Sequence, residues 1–229
     1  MTTEARTGTA RFVTIEGPDG AGKTSQAAAL AEHLRGRGIE TVLTREPGGT
    51  TFGERLRGVL LDRAETGGPS DPLADAFLFN AARRQLVREV IVPSLGRGAT
   101  VICARFADST LAYQGFGAGV PLATLRSLQD TATDGLMPDL TILLEVPPDV
   151  GLGRKSSDEL TRFEADFDLA FHRRVRDGFL QLAADEPDRF VVVDATRDPA
   201  AVQAAIRAAV AARFTLPGEP RRPRARTPG

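Results

Sequence analysis

The residues of this chain best suited to chemistry stand together near its start: Gly17, Gly22, Lys23 and Thr24 in the run FVTIEGPDGAGKT. Their spacing fits G-x-x-x-x-G-K-[ST], which curls backbone N–H groups around phosphate oxygens. Glycine permits that tight curl. A helix opening near Lys23 would turn the positive end of its dipole on the same anion. Lys23 would add a point charge for β- and γ-phosphates, and the Thr24 hydroxyl would be an oxygen ligand for Mg²⁺. The flanks are those the pattern requires. Phe12 to Ile15 is apolar and partly β-branched and reads as a buried strand; Ser25 to Leu34 is Ala-rich and helical in character.

The rest of the chain supplies the elements that must hold this cradle. Residues Met1 to Ala10 read as a loose polar tail. Helix is expected over Gln26 to Arg37, stopped by Gly36 and Gly38, and strand over Ile39 to Arg45. This is a βαβ unit, so the strands run parallel. Glu46 to Thr50, EPGGT, leaves the second strand on the ligand side of such a sheet. Thr51 to Leu61 is helical and carries Arg55 and Arg57. Pro72 to Leu95 reads as a long helix with Pro93 kinking or ending its last turn. Phe79 and Arg83 share one face of it; pattern alone makes Phe79 core and Arg83 a surface charge. Strands follow over Ala99 to Ala104, Leu140 to Val146 and Phe190 to Val193. Leu111 to Gly119 has too many glycines for regular helix throughout. Helices are expected over Leu122 to Asp134, Asp166 to Asp185 and Pro199 to Phe214. Gly153 to Phe167 is a polar, charged interruption, and the last residues form a basic, proline-rich tail.

Composition bounds the partners. The 229 residues, 41% hydrophobic and 26% charged, suit one soluble α/β domain. A net charge of −1 gives no basic field for nucleic acid. There is no membrane-length apolar run and no signal core, and the single cysteine, Cys103, reads as a buried thiol. These point to the cytoplasm.

Together, the cradle, REPGGT at Arg45 to Thr50, FNAAR at Phe79 to Arg83 and ARFADSTLAYQG at Ala104 to Gly115 closely resemble the thymidylate kinases, which move a phosphoryl group from ATP to dTMP. The resemblance spans roughly residues 11–214. It implies a P-loop NTPase fold: α/β, a five-stranded parallel sheet in the order 2-3-1-4-5, helices on both faces, one domain with a lid at about 153–165. It implies a homodimer packed through long helices, with no nucleic-acid or membrane partner. By resemblance, Gly17-Pro18-Asp19-Gly20-Ala21-Gly22-Lys23-Thr24-Ser25 holds ATP and Mg²⁺. Asp19 also meets the 3′-hydroxyl of the acceptor sugar. Pro47, next to Glu46, and Phe79 sandwich the base. Arg83 bonds its carbonyl edge, Gln114 contributes to base recognition, and Tyr113 crowds the 2′ position. Arg105 binds the acceptor phosphate. Arg154 lies against the adenine, which is bordered by the backbone near Ala195. Lys23, Arg105, Arg154 and Arg162 make up the implied catalytic set.

The chain departs from the family pattern twice. Where the family has Asp-Arg-aromatic at the end of the third strand, it has Ala104-Arg105-Phe106. Asp108 does not replace the missing carboxylate, because relatives carry an acidic residue there too. The lid offers Arg154, Lys155 and Arg162, with Ser156-Ser157-Asp158 where further basic residues are expected; lysine cannot copy a bidentate arginine. Three readings are therefore open: a working thymidylate kinase, a nucleotide-binding homologue with little or no turnover, and a kinase for a modified pyrimidine monophosphate.

Overall fold

A computed structural model of the chain describes residues 10–62, 70–154 and 161–214, apart from the side chains of Arg162 and Glu164. Five parallel strands form one sheet in the order β2-β3-β1-β4-β5. They are β1 Phe12–Glu16, β2 Thr41–Arg45, β3 Thr100–Ala104, β4 Leu140–Glu145 and β5 Phe190–Asp194. Central β1 is buried along its whole length, so its apolar residues Phe12, Val13 and Ile15 face both layers, and the polar Thr14 and Glu16 are buried with hydrogen-bond partners. Edge strands β2 and β5 alternate between covered and exposed positions.

The described helices are α1 Lys23–Arg35, α2 Thr51–Leu61, α3 Pro72–Leu86, α4 Val92–Gly96, α5 Ala107–Thr110, α6 Leu122–Thr133, α7 Pro148–Leu152, α8 Arg162–Asp166, α9 Leu169–Asp185 and α10 Pro199–Arg213. Strand alternation sends Val13 and Ile15 to one face of the sheet, against Leu30 of α1 and Ile206 of α10. Phe12 goes to the other face, against Leu86 and Ile91. By the same period Glu16 lies on the Phe12 face, away from α1.

Several expectations are refined. The α3 helix passes through a π-helical turn, Val87–Ile91, into α4. Pro93 sits in the first turn of α4 and has no N–H to donate, and the wide turn absorbs that loss without ending the helix. Leu111–Gly117 is also π-helical. Its wide turns press on α9, where a Cβ on Gly117 would crowd Phe171 and Val175. The helix expected from Asp166 is broken at Asp168, whose carboxylate caps α9 by accepting from the Phe171 amide at 2.7 Å. Ala10 does not belong to a tail; it is buried beside Phe12. The rest of that tail, the basic C-terminal run and lid positions Lys155 to Asp158 lie outside the described residues.

Candidate active site

The cradle forms because β1 ends just before residues that only glycine can occupy. Gly17 has φ 143°, and a Cβ on it would run into the Leu144 carbonyl. Gly20 has φ 73° and lies against the backbone of Gly151 in α7. Neither backbone can give way to a side chain. α1 begins directly after Gly22, so its free N–H groups open onto the cradle. Lys23 is buried, and its Nζ donates to the Pro18 carbonyl at 2.5 Å. Thr24 and Ser25 are exposed, with Ser25 Oγ donating to the Gly22 carbonyl at 2.9 Å.

A cavity of about 580 Å³ runs from this cradle across the carboxyl ends of the strands. It is lined by Asp19, Gly20, Gly22, Lys23, Thr24 and Ser25 at one end and by Glu46, Pro47, Phe79, Arg83, Tyr113 and Gln114 at the other; Arg105 and Arg154 also line it. These include most of the residues singled out in the sequence. Ala195 borders the site through Arg154, which donates to its carbonyl at 3.0 Å and to that of Gly20 at 3.3 Å. Ala21 packs beneath the cradle in the apolar cluster with Ala104. The Arg162 side chain is outside the described residues.

Arg105 forms the junction. It has φ 68°, a conformation that non-glycine residues rarely hold. Its Nη2 meets Asp19 Oδ1 at 2.5 Å and Tyr113 Oη at 3.3 Å; its Nη1 donates to Gly17 O and Ser109 Oγ at 3.3 and 3.2 Å. Tyr113 donates to Asp19 Oδ2 at 2.7 Å. Burial, with Asp19 adding to it, pushes the Tyr113 phenol well above its usual pKa against the opposing effect of Arg105, so it stays a donor.

Arg83 is not a surface charge. It is 1% exposed, and its Nη2 and Glu46 Oε2 are 2.8 Å apart. Its Nε donates to Glu46, its Nη1 to Asn80 Oδ1 at 2.9 Å, and its Nη2 to Phe106 O and Thr110 Oγ1 at 3.2 and 3.0 Å. These bonds fix the guanidinium and leave one Nη1 hydrogen. Glu46 precedes a cis peptide bond to Pro47. Gln114 is 2% exposed, yet its side-chain amide makes no hydrogen bond among the described residues. A buried amide beside a cavity without a protein partner is suited to a polar ligand edge. Phe79 is half-buried and faces Phe163 at a ring separation of 6.1 Å.

Some lining residues were not singled out as site residues. Phe163 comes from α8, where an aromatic residue in a polar stretch was the available signal. Arg57 lines the cavity while donating to the Pro47 carbonyl at 3.0 Å. Ser109 owes its place to Glu16, a charge closing an otherwise apolar strand. Cys103 is buried as expected, its thiol raised by burial first and its Sγ donating to Arg105 O at 3.0 Å.

Glu16 is fully buried. Burial, with Asp108 adding to it, raises its pKa from 4.5 to about 7 against the lowering effects of Ser109, Arg105 and the Phe106 amide. The folded chain thus holds this proton more tightly than the unfolded one. Its contribution to stability is complete below 4.5 and is lost as pH rises through about 7. The melting temperature of Glu16→Gln relative to the parent should therefore climb between about pH 5 and about pH 8. A constant difference would contradict the assignment.

The sheet order, with a glycine cradle after its central strand, defines a P-loop NTPase fold. The family model for thymidylate kinase matches residues 15–206, and the chain belongs to the thymidylate kinase family. The thymidylate kinase of Trichlorobacter lovleyi is 47% identical over 213 residues, covering 90% of this chain and 99% of the relative. That of Deinococcus radiodurans is 50% identical over 202 residues, covering 88% and 97%. The crystal structure of thymidylate kinase from Ehrlichia chaffeensis superposes with a TM-score of 0.71 at 34% identity, covering 88% of this chain and 98% of that one.

Proposed function

We propose that the chain transfers the γ-phosphoryl group of ATP to dTMP, giving ADP and dTDP. The observation that carries this is the single cavity joining a phosphate cradle to a base slot, with Arg105 at their junction. Phosphoryl transfer asks little covalent help of a protein; it needs two anions held in line with their charge offset. In this reading Lys23 and the α1 amides hold the ATP phosphates, and Arg154 borders the adenine beside Ala195. Arg105 receives the acceptor phosphate, and Asp19 accepts from the sugar 3′-hydroxyl. The face of Phe79 takes the pyrimidine, the spare Arg83 hydrogen meets a base carbonyl, and Gln114 reads the adjoining polar edge. Tyr113, held by Asp19, fills the space a 2′-hydroxyl would need. Arg162 is assigned to the transferring phosphoryl group by the family resemblance alone.

Mg²⁺ fits the residues present. Thr24 offers an exposed hydroxyl, a hard oxygen donor, at the cradle. Among the described residues no group of three His, Cys, Asp or Glu side chains could hold a metal unaided. The ion would therefore come with the phosphates, offset their charge, and take Thr24 as a protein ligand.

Ala104 is 4% exposed, pairs with Ile15 and packs with Ala21 under the cradle. Glu16 lies on the opposite face of the sheet, and Asp108 is bonded to Arg189 at 2.6 Å. Neither can stand in for a carboxylate at position 104. Ala104→Asp is expected to raise turnover about tenfold or more, by the scale of one electrostatic stabiliser. Unchanged turnover would remove the carboxylate from this account. The same apolar patch favours a second reading, a homologue that binds both nucleotides with little turnover.

The functional test is ADP release with ATP and Mg²⁺ across a panel of nucleoside monophosphates. dTMP should be preferred. Binding of dTMP without ADP above a Lys23→Ala control would select the second reading, and preference for another pyrimidine would reassign the substrate.

We further propose a cytoplasmic homodimer. Phe52 and Val59 on α2 and Phe77 on α3 are 47%, 43% and 54% exposed, an apolar surface costly to leave in water. Sedimentation should give twice the 24.4 kDa chain mass, and Phe77→Glu should shift it toward the single chain. A parent species of one chain mass would contradict this.

A further inference from the structure

Besides Asp19, which Arg105 holds directly, three buried carboxylates surround the junction, and they are treated differently. Glu46 is paired with Arg83, and Asp108 with Arg189. Glu16 makes no salt bridge among the described residues. Its Oε1 accepts the Phe106 amide and its Oε2 accepts the Ser109 hydroxyl, both at 2.6 Å. Such a group is costly to bury, so its place needs a reason.

The reason lies in what those two bonds hold. Phe106 follows Arg105 directly, and Ser109 Oγ accepts from Arg105 Nη1. Glu16 thus grips the turn on the far side of Arg105 from Asp19, and the Arg105 amide is bonded to Ile15 O at 3.0 Å. The left-handed backbone of Arg105 is fixed from both ends. We propose that Glu16 is the positioning residue of the acceptor-phosphate site: it sets Arg105 through Phe106 and Ser109, and takes up a proton when a phosphate dianion docks there. This rests on the acceptor reading above.

The charges facing Glu16 give the proton step its direction. Arg105, from the β3–α5 turn, favours the ionised form, and Asp108, from α5, opposes it. Cys103, from β3, also faces Glu16; its thiol is raised and neutral. Asp19 already claims part of the Arg105 charge. A docked dianion would claim more, leave Glu16 less compensated and raise its proton affinity. The proton comes from solvent and returns to it on product release.

The test is calorimetry of dTMP binding to the full chain in buffers of different ionisation enthalpy, near pH 8. There the free nucleotide is already dianionic, its second pKa being near 6. The parent should take up a measurable fraction of a proton per dTMP, and Glu16→Gln should take up none. Steady-state kinetics separate geometry from charge. In the parent, KM for dTMP should rise between about pH 7 and about pH 8.5, and in Glu16→Gln it should stay flat. In Glu16→Ala it should be about tenfold higher throughout, with KM for ATP within about twofold of the parent. Equal proton uptake in parent and Glu16→Gln, or parallel pH profiles, would overturn the proton step. A Glu16→Ala chain that keeps its KM for dTMP, or loses ATP and dTMP alike, would overturn the positioning role. Should Glu16→Ala not fold, the glutamine variant still decides. Failure of the parent to bind dTMP would fall on the acceptor reading instead.

Discussion

Lys23→Ala is expected to lower phosphoryl transfer by about a thousandfold or more, the scale for losing one preorganised electrostatic stabiliser. Lys23 is buried in the wall of the cradle, and its ammonium is held at the Pro18 carbonyl. Held in this way, the charge needs little reorganisation when phosphate oxygens replace that carbonyl. Alanine would leave the glycine turns, the α1 N-terminus and the base slot in place. ATP should therefore still bind, more weakly, while turnover collapses. Single-turnover rates beside ATP affinity separate the two effects. A loss of less than about tenfold would mean that the cradle is not where the charge of the reaction is offset.

Arg105→Ala is expected to reduce kcat/KM for dTMP by about a thousandfold, or about 4 kcal/mol. Arg105 is bonded to Asp19, Tyr113, Gly17 and Ser109 while lining the cavity. Its removal takes away the acceptor cation and frees Asp19 and Tyr113, so sugar placement should suffer with phosphate placement. KM for ATP should change far less. Arg105→Lys should recover only part of the loss, because an ammonium cannot reproduce the planar fork that serves several oxygens at once. Equal losses for ATP and dTMP would instead point to collapse of the whole loop.

The cradle was legible because its glycines and its lysine are fixed by local backbone geometry, which sequence spacing reports directly. The strands were legible for a related reason: strands covered on both faces are predominantly apolar and β-branched, as in β3 and β4. Arg83 was not legible from pattern, since a charge on a helix is usually solvated, and only Asn80 one turn away on α3, with Glu46, Phe106 and Thr110 arriving from other elements, makes its burial tolerable. Resemblance, not periodicity, supplied its role. Glu16 is not legible from pattern, because a glutamate after an apolar run reads as the end of a strand, and a buried carboxylate is recognisable only through its partners at Phe106 and Ser109. The break between α8 and α9 followed from one capping carboxylate, Asp168, inside a run whose phenylalanine spacing looks continuous. The π-helical turns came from constraints of both kinds, Pro93 within the chain and the close approach of α9 from outside it.

The most direct test of the central claim follows the phosphoryl group itself. ATP labelled at the γ-phosphate is incubated with the full chain, Mg²⁺ and dTMP, and the products are separated. The label is expected in dTDP, in step with ADP, and in neither the Lys23→Ala nor the Arg105→Ala reaction at a comparable rate. Label released only as inorganic phosphate, or retained in ATP while dTMP binds, would contradict transfer between two nucleotides in this cavity.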